Sequence, residues 1–84
     1  MYYLYILECS DQSLYCGIAV DLNKRVSEHN SSPKAARYTR SRRPVKLVFS
    51  KKFENRSEAS KEEARIKKLT RTEKLDFLKA FRKQ

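Results

Sequence analysis

Arg25 and His29 stand four residues apart on a stretch whose apolar positions, Leu22 and Val26, also repeat at four. On a helix this places a permanently charged guanidinium fork and an imidazole on one face, next to the inward stripe. The run that feeds this helix, Leu14 to Ala19, carries Tyr15 and is rich in strand formers, and Asp21 between them suits an N-cap. A fork that pairs with anions is thus set beside two groups that can hold or move a proton. Each residue alone has an ordinary reading, the arginine as a solvated surface group and the histidine as one more side chain. Their joint arrangement points to chemistry.

The elements that must position them follow from pattern. Tyr2 to Glu8 is a continuous run of strand formers, which suits a central strand buried on both faces. Ser10 to Ser13 supply turn residues, so Leu14 to Ala19 is expected to return antiparallel. Side chains alternate along a strand, so Tyr5 and Tyr15 share a face only if the connecting loop has an odd number of residues, or a bulge restores the parity. That arrangement is expected. Ser31, Ser32 and Pro33 end the helix, and a basic loop leads to a third strand, Val45 to Phe53. Asn55 to Ser57 offer caps for a helix from about Glu58 to Leu69, and Thr70 or Thr72 separates it from a last amphipathic helix. Glu62 and Glu63 flank the stripe of the first of these helices, and helical geometry does not choose between them. The expected fold is α/β (α+β): one domain over residues 1–84, a three-stranded antiparallel sheet flanked by helices in the order β-β-α-β-α-α.

The 84 residues carry a net charge of +10, with 39% hydrophobic residues. No acidic residue occurs between His29 and Glu54, while Lys34, Arg37, Arg40, Arg42, Arg43, Lys46, Lys51 and Lys52 are basic. Such a run is often only a solvated face. With Tyr38 and Thr39 inside it, it also suits contacts to phosphates, and the expected partner is nucleic acid rather than a membrane surface. No apolar run approaches the roughly 20 residues of a bilayer span, and no leader pattern opens the chain, so a cytoplasmic location is expected. Cys9 and Cys16, with one histidine and no CxxC, argue against a structural zinc site and read as buried, reduced thiols.

The order of these parts resembles the GIY-YIG nuclease family, in particular its small stand-alone bacterial members and the related structure-specific endonucleases. Tyr3-Leu4-Tyr5 stands where that family has its GIY element, and Tyr15-Cys16-Gly17 where it has YIG. DLNKRVSEHN is similar to the family's helix, with Arg25 and His29 in register, and RYTRSRRPVKLVF to the segment that follows. The family's metal-binding glutamate, four residues after a small residue, carries over to Glu63, four beyond Ala59. Three departures are Pro33-Lys34-Ala35-Ala36 in place of a glycine-rich segment, Ile18 where some relatives have a lysine, and the segment around Leu75, which lacks the asparagine some relatives carry downstream of the glutamate.

The resemblance implies a metal-dependent endonuclease cutting phosphodiester bonds of nucleic acid, DNA ahead of RNA, with one Mg2+ or Mn2+. It implies a structure-specific role in repair or recombination, with a protein partner as a source of specificity. Tyr5, Tyr15, Arg25, His29 and Glu63 form its implied catalytic set, with Glu63 as metal ligand. Lys34, Arg37, Tyr38, Arg40, Arg42, Arg43 and Lys46 form its implied nucleic-acid surface. Tyr15 and His29 compete as general base. The alternative is a binding module of the same fold with little or no cleavage.

Overall fold

The computed structural model describes residues 1–31 and 37–82. Its centre is strand β1 (Tyr2–Glu8), whose Leu4, Tyr5, Ile6 and Leu7 are all at most 1% exposed. That burial on both faces is what the unbroken apolar run requires. Strand β2 (Leu14–Ala19) and strand β3 (Lys46–Phe53) flank it antiparallel in the order β2-β1-β3. Leu4 and Ile6 face one way, into a core with Cys16, Phe49, Ile66 and Leu78. Tyr5 and Leu7 face the other way, into a core with Cys9 and Val45, against which Tyr15, Leu22 and Val26 pack. The free thiols of Cys9 and Cys16 are therefore buried in different cores, on opposite faces of the sheet.

The hairpin loop spans residues 9–13, an odd number, so Tyr5 pairs with Gly17 and Leu7 with Tyr15, and both tyrosines lie on the same face. The loop closes on itself through Cys9 N–H to Ser13 O (2.8 Å) and Gln12 N–H to Cys9 O (2.9 Å). The Asp11 carboxylate accepts from the Ser13 amide, and these Ser13 bonds hold its pKa below the usual carboxylate value.

Helix α1 (Leu22–Ser31) covers the Tyr5 face, capped by Asp21, which accepts from Lys24 N–H at 3.1 Å. A single helical turn, α2 (Arg37–Arg40), lies between α1 and β3. The expected element order holds, but this part of the expected basic loop is helical because Thr39 turns inward and is fully buried. Strand β3 begins one residue later than its pattern suggests. The Val45 N–H and C=O are taken by the Asn30 side-chain amide, at 2.7 and 3.1 Å, and do not pair with β1. Asn30 thereby fastens the end of α1 to the start of β3. Asn30→Ala should cost about 1–2 kcal/mol, read as a lower urea midpoint at unchanged m-value.

Helices α3 (Arg56–Lys67) and α4 (Arg71–Arg82) cover the opposite face. Helix α3 starts two residues ahead of expectation because Asn55 is the cap, accepting from Glu58 N–H at 2.9 Å. Thr70 and Glu73 make a reciprocal capping box at the start of α4. Among the described residues, no helix is long and apolar enough to cross a membrane.

Candidate active site

The Tyr5 ring lies against Gly17, its partner across the sheet, where a side chain would collide with it. From there its hydroxyl meets His29 Nε2 at 2.9 Å, and His29 Nδ1 meets Thr39 Oγ1 at 2.7 Å. His29 and Thr39 have no exposed surface. The Arg25 guanidinium is within hydrogen-bonding reach of the same Tyr5 hydroxyl. A guanidinium only donates, so Tyr5 accepts from Arg25. His29 bridges the Tyr5 and Thr39 hydroxyls through its two ring nitrogens. Arg25, Tyr5, His29 and Thr39 thus form one continuous polar chain.

This chain is uncharged behind Arg25. Burial, and then the nearby Arg25 charge, push the His29 pKa down to about 4, so the imidazole is neutral at physiological pH. Burial raises the Tyr5 phenol to about 12, against the lowering effect of Arg25, so it remains protonated. Arg25 is the end of the chain that meets solvent, with 28% of its side chain exposed and a 3.4 Å ion pair to Glu28.

Tyr15 stands beside this chain. Its ring is tilted against His29 at a centroid distance of 5.2 Å and stacked with Tyr38 at 6.0 Å. The Arg42 guanidinium lies 3.9 Å over the Tyr38 ring. Tyr5, Tyr15, Arg25 and His29 are therefore brought together on one face of the sheet.

Glu63 lies on α3, which packs on the other face. It is half-buried and pairs with Lys67 Nζ at 3.6 Å. Burial, followed by the charge of Glu63, raises the Cys16 thiol to about 11, which puts this carboxylate on the β2 flank of its helix. Glu62 occupies the other flank, paired with Arg65 and lining a groove with Phe49 and Phe77. Among the described residues, no group of three or more histidine, cysteine or acidic side chains converges on a metal position.

The basic segment is put to more structural use than its pattern suggests. Arg42 pairs with Asp11 at 3.1 Å and donates to Tyr38 O at 2.9 Å, tying the hairpin loop to α2. Arg43 donates to His29 O at 2.6 Å and to Glu28 O, satisfying carbonyls at the end of α1. Thr39, read from the sequence as suited to phosphate contact, is instead the buried partner of His29. Arg37, Arg40 and Lys46 are exposed, as is Tyr38 at 38%, and Lys34 lies outside the described residues. Asn30 is a contributor that sequence reasoning missed, and Gly17 was singled out there only as part of its motif, without its contact to Tyr5. For Gly17 the available signal was a glycine inside a strand, which marks close approach by a neighbour.

A mixed sheet-and-helix fold with paired tyrosines on a hairpin and an arginine and histidine on the next helix defines a GIY-YIG catalytic domain, and residues 1–76 match that family. The chain belongs to the GIY-YIG family, a family of nucleases. Within it, the chain is similar to small bacterial UPF0213 proteins. One from Desulfotalea psychrophila is 51% identical over 82 residues, covering 98% of this chain and 74% of that protein. One from Syntrophus aciditrophicus is 53% identical over 77 residues, covering 92% and 88%. The solution NMR structure of a protein of E. faecalis matches with a TM-score of 0.67 at 47% identity, covering 99% of this chain and 88% of that one. That of a UPF0213 protein of Bacillus halodurans matches at 0.63 and 40%, covering 95% and 85%.

Proposed function

We propose that the protein is an endonuclease that hydrolyses phosphodiester bonds of nucleic acid, DNA ahead of RNA, with one divalent cation, magnesium or manganese. The observation that carries this reading is the partly exposed Arg25 fork, backed by the Tyr5–His29–Thr39 chain, against whose His29 the Tyr15 ring lies. Arg25 binds a non-bridging oxygen of the scissile phosphate and neutralises the charge that builds there. Tyr15 is the more accessible of the two phenols and takes the proton of the attacking water. His29 positions rather than abstracts, because both of its nitrogens are engaged and it is buried in neutral form. Tyr5 likewise stays protonated and holds Arg25.

The half-buried Glu63 carboxylate suits a magnesium ion that keeps several waters and takes one protein oxygen. When bound, such an ion supplies positive charge to a phosphate oxygen. Glu63 would hold it, giving up its pairing with Lys67. Action on branched or nicked DNA in repair or recombination, with a partner supplying specificity, is the corresponding cellular role.

A binding module with little cleavage is the second reading. It is favoured by one observation: Glu63 is paired with Lys67, on the sheet face opposite Tyr5 and His29. Purified protein incubated with plasmid, single-stranded and branched DNA distinguishes the two. Cutting should require magnesium, stop with chelator, and disappear in Arg25→Ala, Tyr15→Phe and Glu63→Ala. Binding without cutting in the wild type establishes the module, and cutting that survives Glu63→Ala removes the metal assignment.

A further inference from the structure

We infer that the groove between Tyr38 and the start of α4 is a subsite for the nucleotide adjoining the scissile phosphate, with Arg71 and Lys74 as its phosphate ligands. The groove, of about 180 Å³, is lined by Ser13, Leu14, Tyr38, Arg71 and Lys74. It therefore combines two cations, a hydroxyl, an aromatic ring and one aliphatic side chain. This is the chemistry of a phosphate with its attached sugar and base.

Its position gives the composition meaning. Tyr38, on its wall, is stacked with Tyr15, so the groove opens one ring away from the proposed water-activating phenol. It runs across the start of β2, from the face that carries Tyr38 to the face covered by α4. Helices α3 and α4 pack together on that face, through Ile66 and Leu78, so the far wall of the groove stands on the same face of the sheet as the proposed metal ligand. A strand laid in this groove passes from Arg25 and Tyr15 around the edge strand towards Glu63, joining two half-sites that the sheet otherwise separates.

The lining is also held in place. Arg71 Nη2 donates to Gln12 O at 3.0 Å, fixing α4 to the hairpin loop, and its remaining donors are available to a ligand. Arg42 stacks on Tyr38 and pairs with Asp11, fixing that loop to the opposite wall. The nearby acid Glu73 is turned to the Thr70 amide, which holds its pKa low and keeps it occupied in the cap. The phosphate-binding face expected from the sequence runs from Lys34 to Lys52, and Arg71 and Lys74 lie outside it.

The inference deepens the nuclease reading and rests on it for the identity of the strand. It is tested with the full chain and a fluorescein-labelled single-stranded DNA oligomer, in chelator so that nothing is cut, by anisotropy over a range of salt. Arg71→Ala with Lys74→Ala should make the slope of log affinity against log salt shallower by about 1.4, the value for two lost phosphate contacts on a single strand. Lys61→Ala with Lys79→Ala removes the same charge from exposed positions of α3 and α4 outside the groove lining, and should leave the slope unchanged. Lys74→Glu, which keeps the Arg71 contact to Gln12, should weaken binding in the same direction, so a folding defect in the double variant does not decide the matter. A slope equal to the wild type in the Arg71/Lys74 variant, or an equal change in the Lys61/Lys79 control, overturns the subsite while leaving the nuclease reading intact. A wild type that binds through the groove but never cuts with magnesium sustains the subsite and removes the nuclease.

Discussion

Acidification from pH 7 to pH 4 should remove about 3 kcal/mol of folding stability through His29 alone. Its pKa is about 4 in the folded protein, against an ordinary value of 6.5 once the chain unfolds. Between those values the unfolded chain binds a proton that the folded protein refuses, so stability falls as the pH falls through this window. A difference of about 2.5 pH units at 1.36 kcal/mol per unit gives the magnitude. The cause is specific to the site: the imidazole has no exposed surface, both nitrogens are committed, and Arg25 and Arg43 oppose a further positive charge while Glu28 only partly offsets them. Urea unfolding at pH 7.5, 6, 5 and 4 measures the loss. His29→Gln should flatten the profile between pH 6.5 and 4. Asp11 and Glu73, whose lowered pKa values also make stability acid-sensitive, act below their ordinary values of 3.8 and 4.5 and do not shape the upper part of this window. A wild-type profile level from pH 6.5 to 5 would show that His29 is not held neutral.

The frame that creates this burial is largely readable along the chain, and the network inside it is not. The central strand follows from the unbroken run Tyr2 to Glu8, and Asp21 and the Asn55 to Ser57 region announce their helices because capping is a local matter. The common face of Tyr5 and Tyr15 follows from parity once the loop is odd. Thr39 was misread because its partner is ten residues away on another element, and no local period distinguishes an inward threonine in a basic segment from an outward one. Arg42 and Arg43 look like free cations in the chain for the same reason. Their anionic and carbonyl partners, Asp11 and the last turn of α1, are chosen by the fold. Glu62 and Glu63 differ by only 100° on a helix, and it is the packing of α3 that leaves Glu62 lining a groove with Phe77 and Glu63 paired with Lys67.

Gly17→Ala should destabilise the protein by about 3 kcal/mol and abolish cleavage with it. A Cβ at this position would lie 2.5 Å from Tyr5 Oη and 2.6 Å from Cζ, closer than real contacts allow. On a surface tyrosine those atoms would swing aside. Here the ring is 1% exposed and its hydroxyl is bonded to His29 and interacts with Arg25, so moving it breaks the chain that orients the guanidinium. Overpacking of about 1–3 kcal/mol and the buried hydroxyl and imidazole left unpaired, at about 1–3 kcal/mol, together account for the size. For a domain of this length that loss lowers Tm by about 12–24 °C. The tyrosine, and not the strand, is the source of the penalty. In a Tyr5→Leu background, which has neither Cζ nor Oη, the same Gly17→Ala change should cost under about 1 kcal/mol, giving a coupling between the two sites of about 2 kcal/mol. Equal costs in both backgrounds would place the need for glycine in the backbone of β2 and detach it from the active site.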